Sequence, residues 1–248
     1  MRITGMIEVQ DLRKRYGTFQ ALKGISFSIA SGEIFGFLGV NGAGKTTTLK
    51  ILAGILQPTS GAAYIGGFSL RDDPSKAKGL TGFIPDRPHL YPKLTGREHL
   101  YFVADLYRVA PSDAERRIDE LLDNYALVEW QDELIESYSH GMKQRLATCA
   151  ALVPRPKVLI VDEPMVGLDP HGAKLLKDSF RRYAGEGMSI LLSTHSLNVA
   201  EEVSDRIAII HRGELLDTGT VEEIRGRTGL TDSGLEQMFL QMTAGIDE

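Results

Sequence analysis

The chain is poor in cysteine, in long apolar runs and in excess basic charge. Cys149 is the only cysteine among 248 residues, so no internal disulfide can form and nothing points to an oxidising compartment. It recurs at helical spacing with Leu146 and Ala150, which suits packing rather than catalysis. No apolar stretch approaches the roughly 18 residues that cross a bilayer as a helix. Met1 to Gln10 has no apolar h-region, so no signal peptide is expected. The formal charge of −5 gives no support to a nucleic-acid-binding face. The one early basic cluster, Arg13-Lys14-Arg15, reads as a solvated turn. His89, His99, His171 and His211 show no metal-ligand spacing. Repeats and low-complexity tracts are missing. What remains is an ordinary globular composition, 42% hydrophobic and 25% charged, long enough for a full α/β core with a smaller attached subdomain.

The stretch that organises this core is Gly39-Val40-Asn41-Gly42-Ala43-Gly44-Lys45-Thr46-Thr47. It matches G-x-x-x-x-G-K-[ST], a P-loop. Ile34, Phe35, Phe37 and Leu38 form a strand-length apolar run before it. Thr48 to Leu56 reads as a helix after it, with Leu49, Leu52, Ala53 and Leu56 on one face. Glycines let the backbone approach phosphate oxygens and adopt φ > 0. Successive N–H groups then form an anion nest, reinforced by the start of a helix near Gly44. Lys45 is expected to reach the β- and γ-phosphates, and the Thr46 hydroxyl to ligate Mg²⁺. A nucleoside triphosphate site is the first expectation.

Along the chain, Ile7–Leu12 and Ile25–Ile29 read as strands with Gly17 and Gly24 as breakers. Tyr16 ends the first of them, either packed or stacked on a base. Ala62–Ile65 and Thr81–Ile84 are further strands, the second running into Pro85-Asp86-Arg87-Pro88. Thr95-Gly96-Arg97-Glu98 and Ser112-Asp113-Ala114-Glu115 both read as capping boxes. The first precedes Leu100, Val103, Ala104 and Tyr107; the second precedes Ile118, Leu121, Leu122 and Tyr125. A third helix is expected from near Ser139 to Leu152. These helices make residues 87–156 a helical insertion. Val158–Val161 then has the continuous apolarity of a buried parallel strand and ends on Asp162 and Glu163. Leu176, Phe180 and Tyr183 mark a helix after Pro170, and Ile190–Leu192 a strand ending at Ser193-Thr194-His195. Ile207–Ile210 and Leu215–Asp217 pair around Gly213. Thr220 caps a helix that Gly226 is expected to end. Leu235 to Met242 is apolar enough to dock back.

A P-loop alone permits many activities. No Asn-Lys-x-Asp motif favours guanine. The later motifs, in order and spacing, closely resemble those of the nucleotide-binding subunit of ATP-binding cassette (ABC) transporters, over essentially the whole chain. Tyr138-Ser139-His140-Gly141-Met142-Lys143-Gln144-Arg145 resembles the LSGGQ-x-QR signature, with Tyr138 for Leu, His140 for the first Gly and Met142 for Gln. Val158 to Glu163 resembles Walker B. Gly167-Leu168-Asp169 resembles the D-loop, with Met165 and Val166 in place of the commoner Thr-Ser. His195 matches the switch histidine. Asp86 stands where the family's Q-loop usually has glutamine, and it cannot donate a hydrogen bond as that amide can. Tyr16 matches the adenine-stacking position.

The resemblance implies a P-loop NTPase (RecA-like) α/β core, residues 1–86 and 157–225, with an N-terminal antiparallel β subdomain and the helical subdomain 87–156. Residues 226–248 are left as a C-terminal extension. It implies ATP and Mg²⁺ as cofactors. Tyr16, Gly39, Asn41, Gly42, Ala43, Gly44, Lys45, Thr46, Thr47 and Asp86 would hold nucleotide in one protomer, Ser139 and Gly141 would serve the partner's, and Asp169 would contact nucleotide from the D-loop that passes between protomers. Thr46, Asp86 and Asp162 would hold the metal. Glu163 would act as general base, with His195 and Lys45 on the γ-phosphate. It further implies a second cassette, identical or a sister, and separate membrane-spanning permease subunits at the cytoplasmic face of the membrane. The signature variant and Glu-Pro-Met-Val-Gly-Leu-Asp are similar to export-type cassettes, including those paired with ABC-2-like permeases. Two other readings stand beside transport: a cassette acting on ribosomes or DNA, and a regulatory cassette of poor turnover, motivated by Asp86, His140 and Met142.

Overall fold

The computed structural model describes residues 5–228 and 235–244. The readings made on residues 1–4, 229–234 and 245–248 lie outside them. The elements in chain order are β1 (Ile7–Tyr16), β2 (Phe19–Ile29), β3 (Ile34–Leu38), α1 (Lys45–Leu52), β4 (Ser60–Ile65), β5 (Phe68–Ser69), α2 (Pro74–Gly79), β6 (Thr81–Ile84), α3 (Gly96–Leu106), α4 (Pro111–Asn124), α5 (His140–Leu152), β7 (Val158–Asp162), α6 (Pro170–Gly185), β8 (Ser189–Thr194), α7 (Leu197–Val203), β9 (Arg206–His211), β10 (Glu214–Gly219), α8 (Val221–Thr228) and α9 (Leu235–Ala244).

Two sheets form. One is antiparallel, ordered β2-β1-β4-β5; the other is ordered β10-β9-β3-β8-β7-β6. In the second, β9, β3, β8, β7 and β6 run parallel and β10 turns back against β9. Parallel strands are covered on both faces, and the packing shows it residue by residue. Phe35, Val158, Ile160 and Leu191 enter the core shared with α1 and the antiparallel sheet. Ile34, Leu159, Val161, Ile190 and Leu192 enter the core shared with α4, α5 and α6. Phe27 of β2 stacks on Phe35 at 5.5 Å and joins the two sheets.

Between β6 and β7 stand α3, α4 and α5. Thr95 caps α3 with a reciprocal capping box, its hydroxyl accepting from Glu98 N while Glu98 accepts from Thr95 N. The second box does not form. Helix α4 starts two residues earlier than that box requires, on Pro111, with no capping side chain. Proline at the first helical position presets φ, and the N–H it lacks would have no partner within the helix in any case. Ser112 is therefore inside the helix. On α3, Leu100 is buried but Tyr107 is exposed, so the stripe is narrower than its spacing suggested.

Other expectations shift for physical reasons. Gly24 does not break a strand: it lies inside β2 at φ +110°, where the β1–β2 register slips between Val9 and Leu12 and again after it. Its missing Cβ admits Asp11 and Arg13. Arg13-Lys14-Arg15 is strand, not turn, because β1 runs on to Tyr16 between β2 and β4. Helix α1 stops at Leu52, where Gly54 turns at φ +68°. Helix α8 passes through Gly226 to Thr228, since glycine weakens a helix without necessarily ending it. Helix α9 docks through fully buried Met238 onto Ala200, Ile207 and Ile224.

Candidate functional site

The carboxyl ends of β3, β7 and β8 bring the chemistry-bearing loops together, as open parallel sheets do. Adjacent strands place Asp162 opposite Ser193 and Leu38 opposite Thr194. After β3, Gly42 and Gly44 take φ +83° and +116°, conformations a side chain rarely adopts. Ala43 N–H closes the loop on Val40 O at 3.1 Å. Helix α1 then opens on Gly44 with no capping side chain, so its first-turn N–H groups remain for an anion.

A cleft of about 300 Å³ lies over this loop. Its lining combines Tyr16 and Phe19 from the β1–β2 hairpin, Asn41, Gly42, Gly44, Lys45, Thr46 and Thr47, and the carboxylates Asp86 and Glu163. Gly39 and Ala43 are buried beneath it. Tyr16 and Phe19 are 46% and 62% exposed, unusual for rings, and they form an aromatic wall. Phe19 was not anticipated; its place on the same hairpin, three residues after Tyr16, was the available signal.

Lys45 is 5% exposed. Its Nζ donates to Gly39 O at 2.6 Å and lies 3.3 Å from Glu163 Oε1. The other oxygen, Glu163 Oε2, is 2.9 Å from His195 Nδ1 and accepts from His195 N at 3.3 Å. Glu163 itself sits at φ +49°, held there by its N–H donating to Ser193 O at 3.1 Å. Such a conformation in a residue other than glycine marks a constrained site. Asp162 is buried, with Ser193 Oγ donating to its Oδ1. Lysine from the start of α1, glutamate after β7 and histidine after β8 thus form one connected set.

A second cavity, of about 410 Å³, gathers Ser139, His140, Gly141 and Arg145 of α5 with Gly167, Leu168 and Asp169. Ser139 caps α5, accepting from Met142 N at 3.2 Å, which leaves its O–H as a donor. Asp169 caps α6 through Gly172 N at 2.6 Å. This cavity and the P-loop cleft share no lining residue. The anticipated residues therefore fall into two groups on one chain.

The profile of the ABC transporter family matches residues 22–166. The chain belongs to the ABC transporter family. This ABC transporter subunit is 37% identical to the linearmycin resistance ATP-binding protein LnrL of Bacillus subtilis (strain 168) over 241 residues, 95% of this chain and 78% of that one. Its fold is similar to that of a solved ATP-binding subunit of an ABC transporter, with TM-score 0.91 and 35% identity, covering 96% and 99% of the two chains. It is also similar to an ATP-binding cassette solved as a dimer in a post-hydrolysis state bound to ADP and Pi, with TM-score 0.76 and 26% identity over 87% and 99%. The chain binds and hydrolyses ATP as the nucleotide-binding subunit of such a transporter.

Each departure of this ABC transporter subunit from the signature has a structural partner. Tyr138 is buried, donates to Trp130 O at 2.6 Å and packs where a Cβ on Gly96 would otherwise stand. It pins the signature turn to the start of α3. Met142 is in the core of the helical region. His140 lies against Gly167 and Val166. Cys149 is fully buried, burial pushes its thiol pKa well up, and its Sγ lies 3.6 Å from Leu121 O. It packs rather than reacts.

Proposed function

We propose that two cassettes of this kind close head to tail on ATP, and that closure drives substrate export by separate membrane-spanning subunits at the cytoplasmic face. The observation that carries this reading is the division of the anion-binding groups into two separate half-sites, neither complete alone. The P-loop cleft supplies N–H groups, Lys45 and an aromatic wall. The Ser139 cavity supplies a hydroxyl, an open backbone at Gly141 and the positive end of α5, all suited to a γ-phosphate.

The donor set suits Mg²⁺. Thr46, Asp86 and Asp162 offer oxygen, the ligand type this hard cation takes, and Mg²⁺ draws its remaining ligands from phosphate and water. Among the described residues no group of three or more His, Cys, Asp and Glu forms a metal cage of its own, which fits that sharing. When bound, Mg²⁺ neutralises phosphate charge during transfer.

The protein's own groups do the rest. A phosphate entering the cleft meets Lys45 Nζ, which exchanges Glu163 for phosphate oxygen. Glu163, freed on that side, remains held by His195 and polarises the attacking water. His195 orients the carboxylate and faces the γ-phosphate. Tyr16, with Phe19, stacks on adenine.

Residues 87–156 act as the moving helical subdomain. A groove of about 440 Å³ runs between Pro85, Pro88, Tyr91, His99, Phe102, Leu106 and Tyr107 and the exposed Ile55. Asp86 is at its rim in sequence and in the nucleotide cleft in space, so the groove would receive the permease's cytoplasmic helices where nucleotide state is felt. No described helix is long and apolar enough to cross a membrane, consistent with peripheral attachment. The export direction rests on the printed role of LnrL in linearmycin resistance. Transport assays in inverted vesicles holding the chain and its permease test it: ATP-driven accumulation inside supports export, and uptake only in right-side-out vesicles would overturn it.

A further inference from the structure

We propose that His140 is a positioning residue that latches the signature turn to the loop following Glu163, tying within each chain the half-site that serves one nucleotide to the carboxylate that serves the other. The proposal rests on the head-to-tail reading above. Where the family pattern has glycine, this chain places an imidazole as the first residue of α5. Its Nε2 lies 3.4 Å from Val166 O. Because Val166 offers a carbonyl, Nε2 carries the proton and donates. The ring also touches Gly167: a Cβ built there would stand 2.7 Å from His140 Cδ2 and 2.9 Å from Nε2. Gly167 adopts φ +75°, so the loop turns at that point and leaves bare backbone for the ring.

The latched loop leads directly to the reacting centre. Val166 N–H donates to Glu163 O at 3.3 Å and Leu168 N–H to Met165 O at 3.3 Å. At its far end Asp169 is fixed as the cap of α6. One end is thus the carboxylate residue, the other a helix cap, and the side chain that reaches the middle is His140. A glycine at position 140 would supply neither ring nor donor. The signature turn of α5 is itself held by Tyr138, so the latch joins two anchored segments.

The test compares the unaltered full chain with His140→Ala and His140→Gln. Glutamine places an amide N–H near the position of Nε2. Amide hydrogen exchange without nucleotide reads the latch directly. Losing one net hydrogen bond of about 1 kcal/mol predicts roughly fivefold faster exchange at Val166 and Leu168 in His140→Ala. Exchange in β3, β7 and β8 stays as in the parent, which controls for misfolding, and His140→Gln restores most of the protection. In steady-state hydrolysis, His140→Ala lowers kcat by a similar factor, roughly fivefold, with KM for ATP unchanged, since Ser139 and Gly141 are untouched. Unchanged exchange at Val166 and Leu168 would overturn the proposal. So would a glutamine variant as loose as alanine, or a loosened loop with unaltered kcat. If the unaltered chain neither dimerises nor hydrolyses ATP, the head-to-tail reading fails instead, and the exchange comparison still decides the latch.

Discussion

In the P-loop cleft the anion-binding groups are main-chain N–H groups and one lysine, fixed between strands buried on both faces. In the Ser139 cavity they are a hydroxyl and a glycine at the start of one helix, facing a loop. The groups of the first half-site are already partnered from within: Lys45 lies against Glu163, Glu163 against His195, and Asp162 against Ser193. The second has its hydroxyl engaged only as an acceptor, by Met142 N. On the head-to-tail reading proposed above, this contrast assigns different tasks: the first half-site would bind and react, and the second would recognise an arriving phosphate and report it through α5.

The largest expected effect falls on the reacting half. Glu163→Gln keeps the shape and the contact to His195 but removes the basic carboxylate. ATP turnover is expected to drop about 10²–10⁴-fold, the usual loss of a general base, while ATP binding persists. A variant with near-parental turnover would shift the base elsewhere.

On the recognising half, cap and phosphate contact can be separated. Ser139→Asp retains a good N-cap but sets a negative charge against phosphate. We expect thermal stability close to the parent and hydrolysis reduced by roughly a hundredfold, in line with like-charge juxtaposition costing several kcal/mol. Should hydrolysis survive with the fold intact, Ser139 serves only as a helix cap.

The aromatic wall gives a smaller effect confined to the first half. Stacking of a base on an aromatic ring is worth roughly 1–3 kcal/mol. Tyr16→Ala should weaken ATP binding accordingly, about fivefold to a hundredfold, with Tyr16→Phe near the parent. Titration with a fluorescent ATP analogue reads both. Equal affinity in the alanine variant would return Tyr16 to a packing role or hand the base to Phe19.

The smallest effect lies outside both halves, in the groove. His99 is 4% exposed with Nδ1 unpartnered, and burial lowers its pKa below the usual ~6.5. The unfolded chain therefore takes up a proton near that pH before the native chain does. Stability falls as pH drops through about 6.5 toward the lower native value. Urea melts at several pH values should show this slope, and His99→Met should flatten it. An unchanged slope in the variant would assign the effect to other groups.

What the sequence disclosed follows the same division. The strand, loop and helix around Lys45 were legible because their chemistry is written in contiguous residues. So were the Thr95 and Ser139 caps and the apolar strand ending in Asp162-Glu163. Boundaries set by local competition were less so. Pro111 displaced the Ser112 box, Gly24 became a bulge because Asp11 and Arg13 occupy its missing Cβ, and α2 carries too few apolar residues to announce itself. The contacts of Lys45 with Glu163 and of His140 with Val166 span 118 and 26 residues of chain. Nothing in their local sequence encodes such meetings; the first follows from the order β3-β8-β7 in the sheet, the second from the packing of the start of α5 against the loop after β7. Signature function was readable only as a resemblance, since a serine before a helix is otherwise an ordinary cap.

The claim that these halves complete each other across two chains is tested most directly by mass in solution. Glu163→Gln, expected to bind ATP and turn it over only slowly, is measured by light scattering with ATP and Mg²⁺, beside the double variant Glu163→Gln with Ser139→Asp. The account predicts the mass of two chains for the first and of one chain for the second. A Glu163→Gln protein that binds ATP yet keeps the mass of one chain would contradict it.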